Sequence, residues 1–379
     1  MFYQWVLDIS KFFKIYCNAD SISHDIIAAV FIMSLITSCS LNFVEYVYFE
    51  DSRPRLSYSI YISYCREIIH CCCLVSCIYF ASFHNKTHVI QLHICLKQLC
   101  KDLCVKKDPK FPIYLAFLQI ACIFSLMFHI SQNREFIFLL ASYLSSSFRL
   151  EIMILSLILH GAIMRYIWLC CIKLKYKIRK LKNQIIHYNL KKRSYRFPSS
   201  VTEIFQDFDK VLDLVKLVNK VYGFTLMLYF GYFMISTIKN LLAEFIFGIM
   251  FKRGRVLVIP INSYLSGVHV ICTVVIISTC TKVTQELKNS ALESFELFLH
   301  LPLQSYFPEH EELYEDIVVF ERYIHEPVYF SAGGFFVIDS SLIFKLMGTI
   351  TSYLIICLGF DKELIHHFTK EDNSSMIIN

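Results

Sequence analysis

The chain has 379 residues, 56% hydrophobic and 18% charged, with a mean hydropathy of +0.50. A water-soluble fold of this size would expose large apolar patches under that load, so the composition excludes a soluble enzyme, a nucleic-acid-binding domain and a disordered chain. The formal charge is 37 Lys+Arg against 31 Asp+Glu, or +6, which on a membrane protein is a signal of topology.

Apolar residues come in seven continuous blocks, about 26–47, 60–83, 111–131, 138–171, 223–247, 261–280 and 337–360. Blocks of roughly 20 residues cross ~30 Å of hydrocarbon as helices. The chain holds only 10 Gly and 8 Pro, and the blocks do not alternate, which argues for helices and against a β-barrel. The predicted fold class is an all-α membrane protein with seven transmembrane helices. Residues 1–25 carry Lys11 and Lys14 without an apolar core and cleavage site, so no cleaved signal peptide is predicted.

Charge orients the chain. Residues 85–110, between blocks two and three, hold six Lys and two Asp, and residues 172–200, after block four, hold ten Lys/Arg and no acid. The alternate loops are short and poorer in base, with Lys252, Arg253 and Arg255 as a mild exception. The positive-inside rule puts both basic loops in the cytosol. The N-terminus is then cytosolic and the C-terminus extracellular, the reverse of a G-protein-coupled receptor.

The cytosolic segments are themselves patterned. Residues 172–181 continue block four without Gly or Pro, so that helix should project beyond the membrane. Ser200-Val201-Thr202-Glu203 reads as a capping box. Val201, Ile204, Phe208, Val211, Val215 and Val218 then recur at heptad spacing and form an apolar seam running into block five. Residues 284–300 also read as helix, and Leu313, Ile317, Phe320 and Ile324 form a second stripe. Such stripes need partners, either within one subunit or between subunits.

Ionisable groups inside apolar blocks are costly in lipid. Arg66, Glu67 and His70 lie in block two, His129 in block three, Arg149 and Glu151 in block four, Lys239 and Glu244 in block five, and His269 in block six. They serve either as internal pairs that fix helix packing, with Arg66–Glu67 and Arg149–Glu151 able to pair across helices, or as the polar wall of a ligand pocket. Tyr64, Tyr229, Tyr232 and Tyr264 could supply its stacking surfaces. The candidate ligand set is Tyr64, Glu67, His129, Arg149, Glu151, Tyr229, Tyr232, Tyr264 and His269.

Other signals carry little. The 16 Cys form no paired framework, and runs such as Cys71-Cys72-Cys73 behave as small hydrophobes. Cys95, Cys100 and Cys104 with His84, His88 and His93 fit no metal-ligand spacing. Glu321-Arg322-Tyr323 follows block six, the wrong place for the similar receptor motif. The sequon at Asn85 falls on the cytosolic side, and the one at Asn373 outside. With no phosphate loop, nucleophile elbow or H-E-x-x-H, no catalytic residue, metal or cofactor is expected.

The final block is the most informative. It ends Ser352-Tyr353, five apolar residues Leu354 to Leu358, then Gly359-Phe360. This resembles the C-terminal signature of insect gustatory receptors, which reads Thr-Tyr, five hydrophobics, Gln-Phe. Gly334-Phe335-Phe336-Val337-Ile338-Asp339 with Ser341-Leu342 is similar to the same family. So is Val218-Asn219-Lys220-Val221-Tyr222-Gly223, near the family's Asn-x-x-aromatic-Gly.

The resemblance implies a tetrameric, ligand-gated, non-selective cation channel with its last helix lining a central pore, a ligand pocket among the earlier spans, and cytosolic helices anchoring the tetramer. The chain then divides into a cytosolic N-terminus (1–25), transmembrane helices one to four (26–171), a cytosolic basic segment (172–222), helices five and six (223–280), cytosolic anchor helices (281–334), a pore-lining helix (335–360) and an extracellular tail (361–379). The pore and gate set is Ser352, Tyr353, Ile356, Gly359 and Phe360. Ser352 keeps the family hydroxyl, whereas Gly359 lacks the family amide. Leu354 after the tyrosine, where sugar-responsive members tend to carry an acid, leans towards a bitter or plant-derived tastant. The expected setting is the plasma membrane of a sensory neuron, surrounded by lipid, in a homo- or hetero-tetramer, with neither nucleic acid nor G protein required. The rivals are an odorant-receptor-type channel, a G-protein-coupled receptor and a secondary transporter; the last predicts internal inverted repeats, which the sequence lacks.

Overall fold

A computed structural model describes residues 33, 57–79, 86–103, 138–190, 199–250, 258–299, 318, 323, 325 and 327–375. The elements in order are α1 (Ser57–Tyr79), α2 (Lys86–Asp102), α3 (Phe138–Leu190), α4 (Ser199–Met250), α5 (Val258–Leu299), β1 (Ser331–Ala332), β2 (Phe336–Val337) and α6 (Ser341–Ser375). Apolar blocks two, four, five, six and seven fall on α1, α3, α4, α5 and α6. Blocks one and three lie outside the described residues, apart from the helical Met33, as do all four residues of the stripe Leu313, Ile317, Phe320 and Ile324. Among the described residues, three helical stretches are long and apolar enough to cross a membrane: Glu203–Leu242, His269–Glu296 and Ser341–Gly359.

The expectation that block four runs on into its basic tail holds. α3 is one helix of 53 residues, about 80 Å at 1.5 Å per residue, and so far longer than ~30 Å of hydrocarbon. α4 is likewise one helix of 52 residues joining the heptad seam to block five. Neither contains a proline that would break its hydrogen-bond ladder.

The seam finds its partners within the chain. Ile204, Phe208, Val211, Val215 and Val218 are all buried, which decides for these positions the choice left open between packing within a subunit and between subunits. α3 answers with Leu174, Ile178, Leu181 and Ile185, and α5 with Val283, Leu287, Ser290 and Ser294, all buried and all at heptad spacing. Tyr323 packs edge-on against Phe208 with ring centroids 5.3 Å apart.

Ion pairs set the register of this bundle. Lys175 Nζ is 3.1 Å from Glu286 Oε2, Arg179 Nη2 2.6 Å from Glu293 Oε1, and Lys182 Nζ 2.6 Å from Glu296 Oε2. Residue numbers rise together on both sides, so α3 and α5 run in the same direction. Lys177 Nζ bridges α3 to α4 at 2.9 Å from Asp207, a buried carboxylate. Burial lowers the Lys177 pKa, but its bonds to Asp207 and Glu203 outweigh this and hold it above the ordinary lysine value. α4 occupies the centre, touching α1, α2, α3, α5, α6 and β1.

The approach to α6 departs from expectation. The seventh helix was predicted from about Val337, or 335 as a division, but it begins at Ser341. Residues 331–337 form instead a short antiparallel hairpin pairing Ser331 with Val337 and Ala332 with Phe336. Gly333 and Gly334 have φ of 59° and 79°, and the Phe335 N–H donates to Ala332 O at 3.0 Å. Two consecutive left-handed residues suit a tight hairpin turn, and glycine takes that conformation without a Cβ penalty. Asp339 then caps α6: its Oδ1 accepts from the backbone N–H of Ser341 at 3.0 Å and of Leu342 at 3.2 Å.

Candidate ligand cluster and exposed final helix

Tyr229, Tyr232, Phe233 and Ser236 lie at helical spacing on one face of α4, and all are buried. That face meets α1 and α5. His70 of α1 stacks on the Tyr232 ring with centroids 4.6 Å apart, and His269 of α5 meets the other contact edge of Tyr232 at 5.3 Å. The Tyr229 hydroxyl lies 3.1 Å from Thr273 Oγ1 and donates to His269 O at 3.3 Å. His269 Nδ1 is buried without a hydrogen-bond partner among the described residues. A buried acceptor or donor left in this way is costly and is met by any small molecule that reaches it with a complementary group.

Three of the nine sequence-selected ligand residues, Tyr229, Tyr232 and His269, are thus brought into one cluster. Glu67 lies beside it on α1. Arg66 pairs with Glu67, its own neighbour; both are only partly buried and act electrostatically on Tyr232. Tyr64, Arg149, Glu151 and Tyr264 fall on described helices, but their side chains lie outside the described set, and His129 lies outside the described residues altogether. Sequence reasoning missed Thr273, whose signal was weak: one hydroxyl four residues after His269 on an apolar helix. It also missed His160, which is fully buried against Tyr222 with ring centroids 5.2 Å apart.

A second feature joins this helix face to α6. Asn219 of α4 clamps the hairpin from both sides: its Nδ2 donates to Tyr329 O at 2.7 Å, and its Oδ1 accepts from Ser331 N at 3.0 Å. One turn on, a Cβ at Gly223 would stand 3.0 Å from Gly333 N and 3.2 Å from Ser331 O. Only glycine lets the hairpin backbone approach so closely. Phe336 of β2 packs against Phe230 of α4 at 5.8 Å. The motif Asn219 to Gly223 was noticed as a pattern; its physical content is a docking platform for the turn that launches α6.

α6 is covered on one side only. Leu342, Leu346, Ile350 and Cys357 are buried, whereas Phe344 is 79% and Ile355 65% exposed. Ser352, Ile356 and Gly359 share an exposed face. Tyr353 is exposed too but is turned about 100° from Ser352 around the axis. The side chain of Phe360 lies outside the described set. Hydroxyls on α6 are satisfied within the helix: Ser352 Oγ donates to Gly348 O at 2.9 Å, and Thr351 Oγ1 to Met347 O at 2.9 Å. They can therefore sit in an apolar setting without an unpaired donor. A Cβ at Gly359 would meet nothing within 4 Å, so the missing family amide leaves no packing defect.

Comparison with known proteins agrees with this architecture. A family profile described as 7tm chemosensory receptor matches residues 22–364. The fold is similar to that of the insect olfactory receptor OR5 from Machilis hrabei, with 12% identity and a TM-score of 0.63 over 94% of this chain and 97% of that one. The same receptor in complex with eugenol gives 13% identity and a TM-score of 0.62 over the same shares. No curated protein sequence matches the chain.

Proposed function

From the premise that the chain belongs to the 7tm chemosensory receptor family, we propose that it is a ligand-gated, non-selective cation channel of the gustatory type, opened by a bitter or other plant-derived tastant. Seven spans cross the plasma membrane of a sensory neuron with the N-terminus cytosolic and the C-terminus outside. Four subunits meet around their α6 helices. The observation that carries this reading is α6 itself: an apolar helix buried on one face, with Ser352, Ile356 and Gly359 on the other. Such a helix has a polar-to-small stripe to offer a pore and apolar flanks to offer neighbouring copies.

Ligand binding at the Tyr229–Tyr232–His269 cluster, with Glu67 at its edge, would bias a closed–open equilibrium by differential affinity for the two states. α4 supplies the route, because it bears both the cluster and the Asn219–Gly223 platform under the α6 hairpin. The final-block signature favours a gustatory assignment, while the olfactory receptor of like fold, which binds eugenol, supports an odorant-type channel as the second reading. Whole-cell recording from cells expressing this chain, with G-protein signalling blocked, against sugars, bitter plant compounds and eugenol tests both. A cation current evoked by bitter compounds is expected. A response that survives only with G proteins intact overturns the channel reading, and a response to eugenol-like volatiles alone transfers it to the odorant type.

A further inference from the structure

Between α2 and α4 lies an open groove of about 470 Å³, away from the ligand cluster. Its floor is apolar, formed by Leu99 and Leu214, both buried. Its walls carry Lys210, Lys216 and Lys220 from α4 and the amides of Gln91 and Gln98 from α2. Asp213 is the single carboxylate among the described lining residues. The three lysines spread over ten residues, about 15 Å of helix, so the groove offers an elongated row of donors rather than one point charge. Lys97 and Lys101 stand exposed elsewhere on α2 and add to the field.

Lys216 Nζ is 3.0 Å from Asp213, and Lys210 Nζ is 3.5 Å from Asp102 and 3.7 Å from the buried Asp207. Both lysines, Asp213 and Asp102 are exposed, and ion pairs in water are weak. A phosphate ester, with near-double charge and three strong acceptor oxygens, competes well for the same ammonium groups. The groove ends at Lys220, three residues before Gly223, where the fifth apolar block begins. Its upper end therefore opens where the helix enters the membrane. The cytosolic leaflet is anionic and draws basic juxtamembrane segments to it.

We propose that this groove binds the phosphorylated headgroup of an anionic phospholipid of the cytosolic leaflet, a phosphoinositide being the class that fits a row of three cations over an apolar floor. The proposal rests on the cytosolic placement of residues 85–110 and 172–222 given above. Occupancy ties α2 to the part of α4 that lies directly below the hairpin platform.

Cys95 lines the same groove and is exposed, which provides a reporter. The purified full-length receptor in neutral detergent is treated with a maleimide, and modification of the peptide containing Cys95 is followed by mass spectrometry. Short-chain phosphatidylinositol bisphosphate, added at about ten times its dissociation constant, should slow that modification about tenfold, whereas short-chain phosphatidylcholine should not. Lys216→Ala with Lys220→Ala should abolish the protection while Cys95 remains reactive. Protection by the lipid that exceeds protection by free inositol trisphosphate supports the lipid source, and protection by inositol trisphosphate alone overturns it. Unchanged Cys95 reactivity with the lipid, or protection that survives loss of both lysines, overturns the site. A membrane-impermeant maleimide applied to intact cells separates the premise: modification of Cys95 without permeabilisation overturns the cytosolic placement, whatever the detergent result.

Discussion

Asn219 is the residue on which two parts of the molecule depend together. Its amide makes one bond as donor and one as acceptor to the chain entering the hairpin. A typical bond contributes about 0.5–1.5 kcal/mol net, so Asn219→Ala should cost about 1–3 kcal/mol locally and loosen the hairpin from α4. Agonist-evoked current should fall while surface expression persists. Asn219→Asp keeps the acceptor facing Ser331 N–H but sets a carboxylate against the Tyr329 carbonyl, so it should recover only part of the loss. Gly223→Ala should be worse than its size suggests, because its Cβ would meet hairpin backbone that cannot rotate away. Gly359→Gln makes the opposite prediction. The position opens onto free space, so the receptor should express and unfold at an unchanged temperature, and any effect should appear in single-channel conductance or open time. A drop in thermal stability in Gly359→Gln would show that the position is packed in the assembled channel.

At the scale of elements, the long helices were legible and the short hairpin before α6 was not. α3 and α4 follow from uninterrupted apolar and heptad periodicity with no proline, and the seam residues from Ile204 to Val218 lie where the spacing put them. What the spacing could not supply was the partner, because an apolar seam looks the same whether it meets its own chain or another copy. Burial in α3 and α5 decides the matter here. The hairpin was misread for a different reason. Residues 335–338 are as apolar as the helix that follows, and only the paired Gly333-Gly334 and the cap at Asp339 mark the break. The ion pairs between α3 and α5 were also invisible, since they join residues more than a hundred positions apart. Their values should differ by burial. The Arg179–Glu293 pair has an Arg side chain 60% exposed, so water screens it and it should contribute little. Lys177–Asp207 engages a carboxylate only 7% exposed, and stranding a buried charge typically costs about 3–5 kcal/mol; Lys210 Nζ, 3.7 Å from Asp207 Oδ1, remains as a more distant partner and keeps the loss below that range. Lys177→Ala should still lower the unfolding temperature of the purified receptor more than Arg179→Ala. Adding Asp207→Asn to Lys177→Ala should restore part of the loss, because the buried charge is then gone.

The candidate cluster was legible only in part, in three of nine residues, for a reason that belongs to the whole molecule. Polar and aromatic residues in apolar blocks are countable from sequence, but which of them converge depends on how α1, α4 and α5 are rotated against one another. Tyr229, Tyr232 and His269 meet because each faces the same three-helix junction.

The assembly is tested at α6, whose exposed face meets no counterpart among the described residues. In the proposed tetramer the side bearing Ser352 faces the permeation path, and Tyr353, about 100° away, faces protein or lipid. Ser352→Cys should then react with a small charged methanethiosulfonate applied from outside, faster in the presence of agonist than in its absence, and the reaction should reduce the current irreversibly. The native hydroxyl bonds to Gly348 O within the helix, so replacing it with a thiol removes only a local bond and the helix should remain folded. Tyr353→Cys should react at a rate that agonist does not change. Equal agonist dependence at both positions would mean that reagent reaches α6 from all sides, as in a lone subunit. No reaction at Ser352→Cys in channels that still conduct would rotate the pore-facing stripe by about 40–60°, towards Gly348 and Ile355, which would be the next positions to probe.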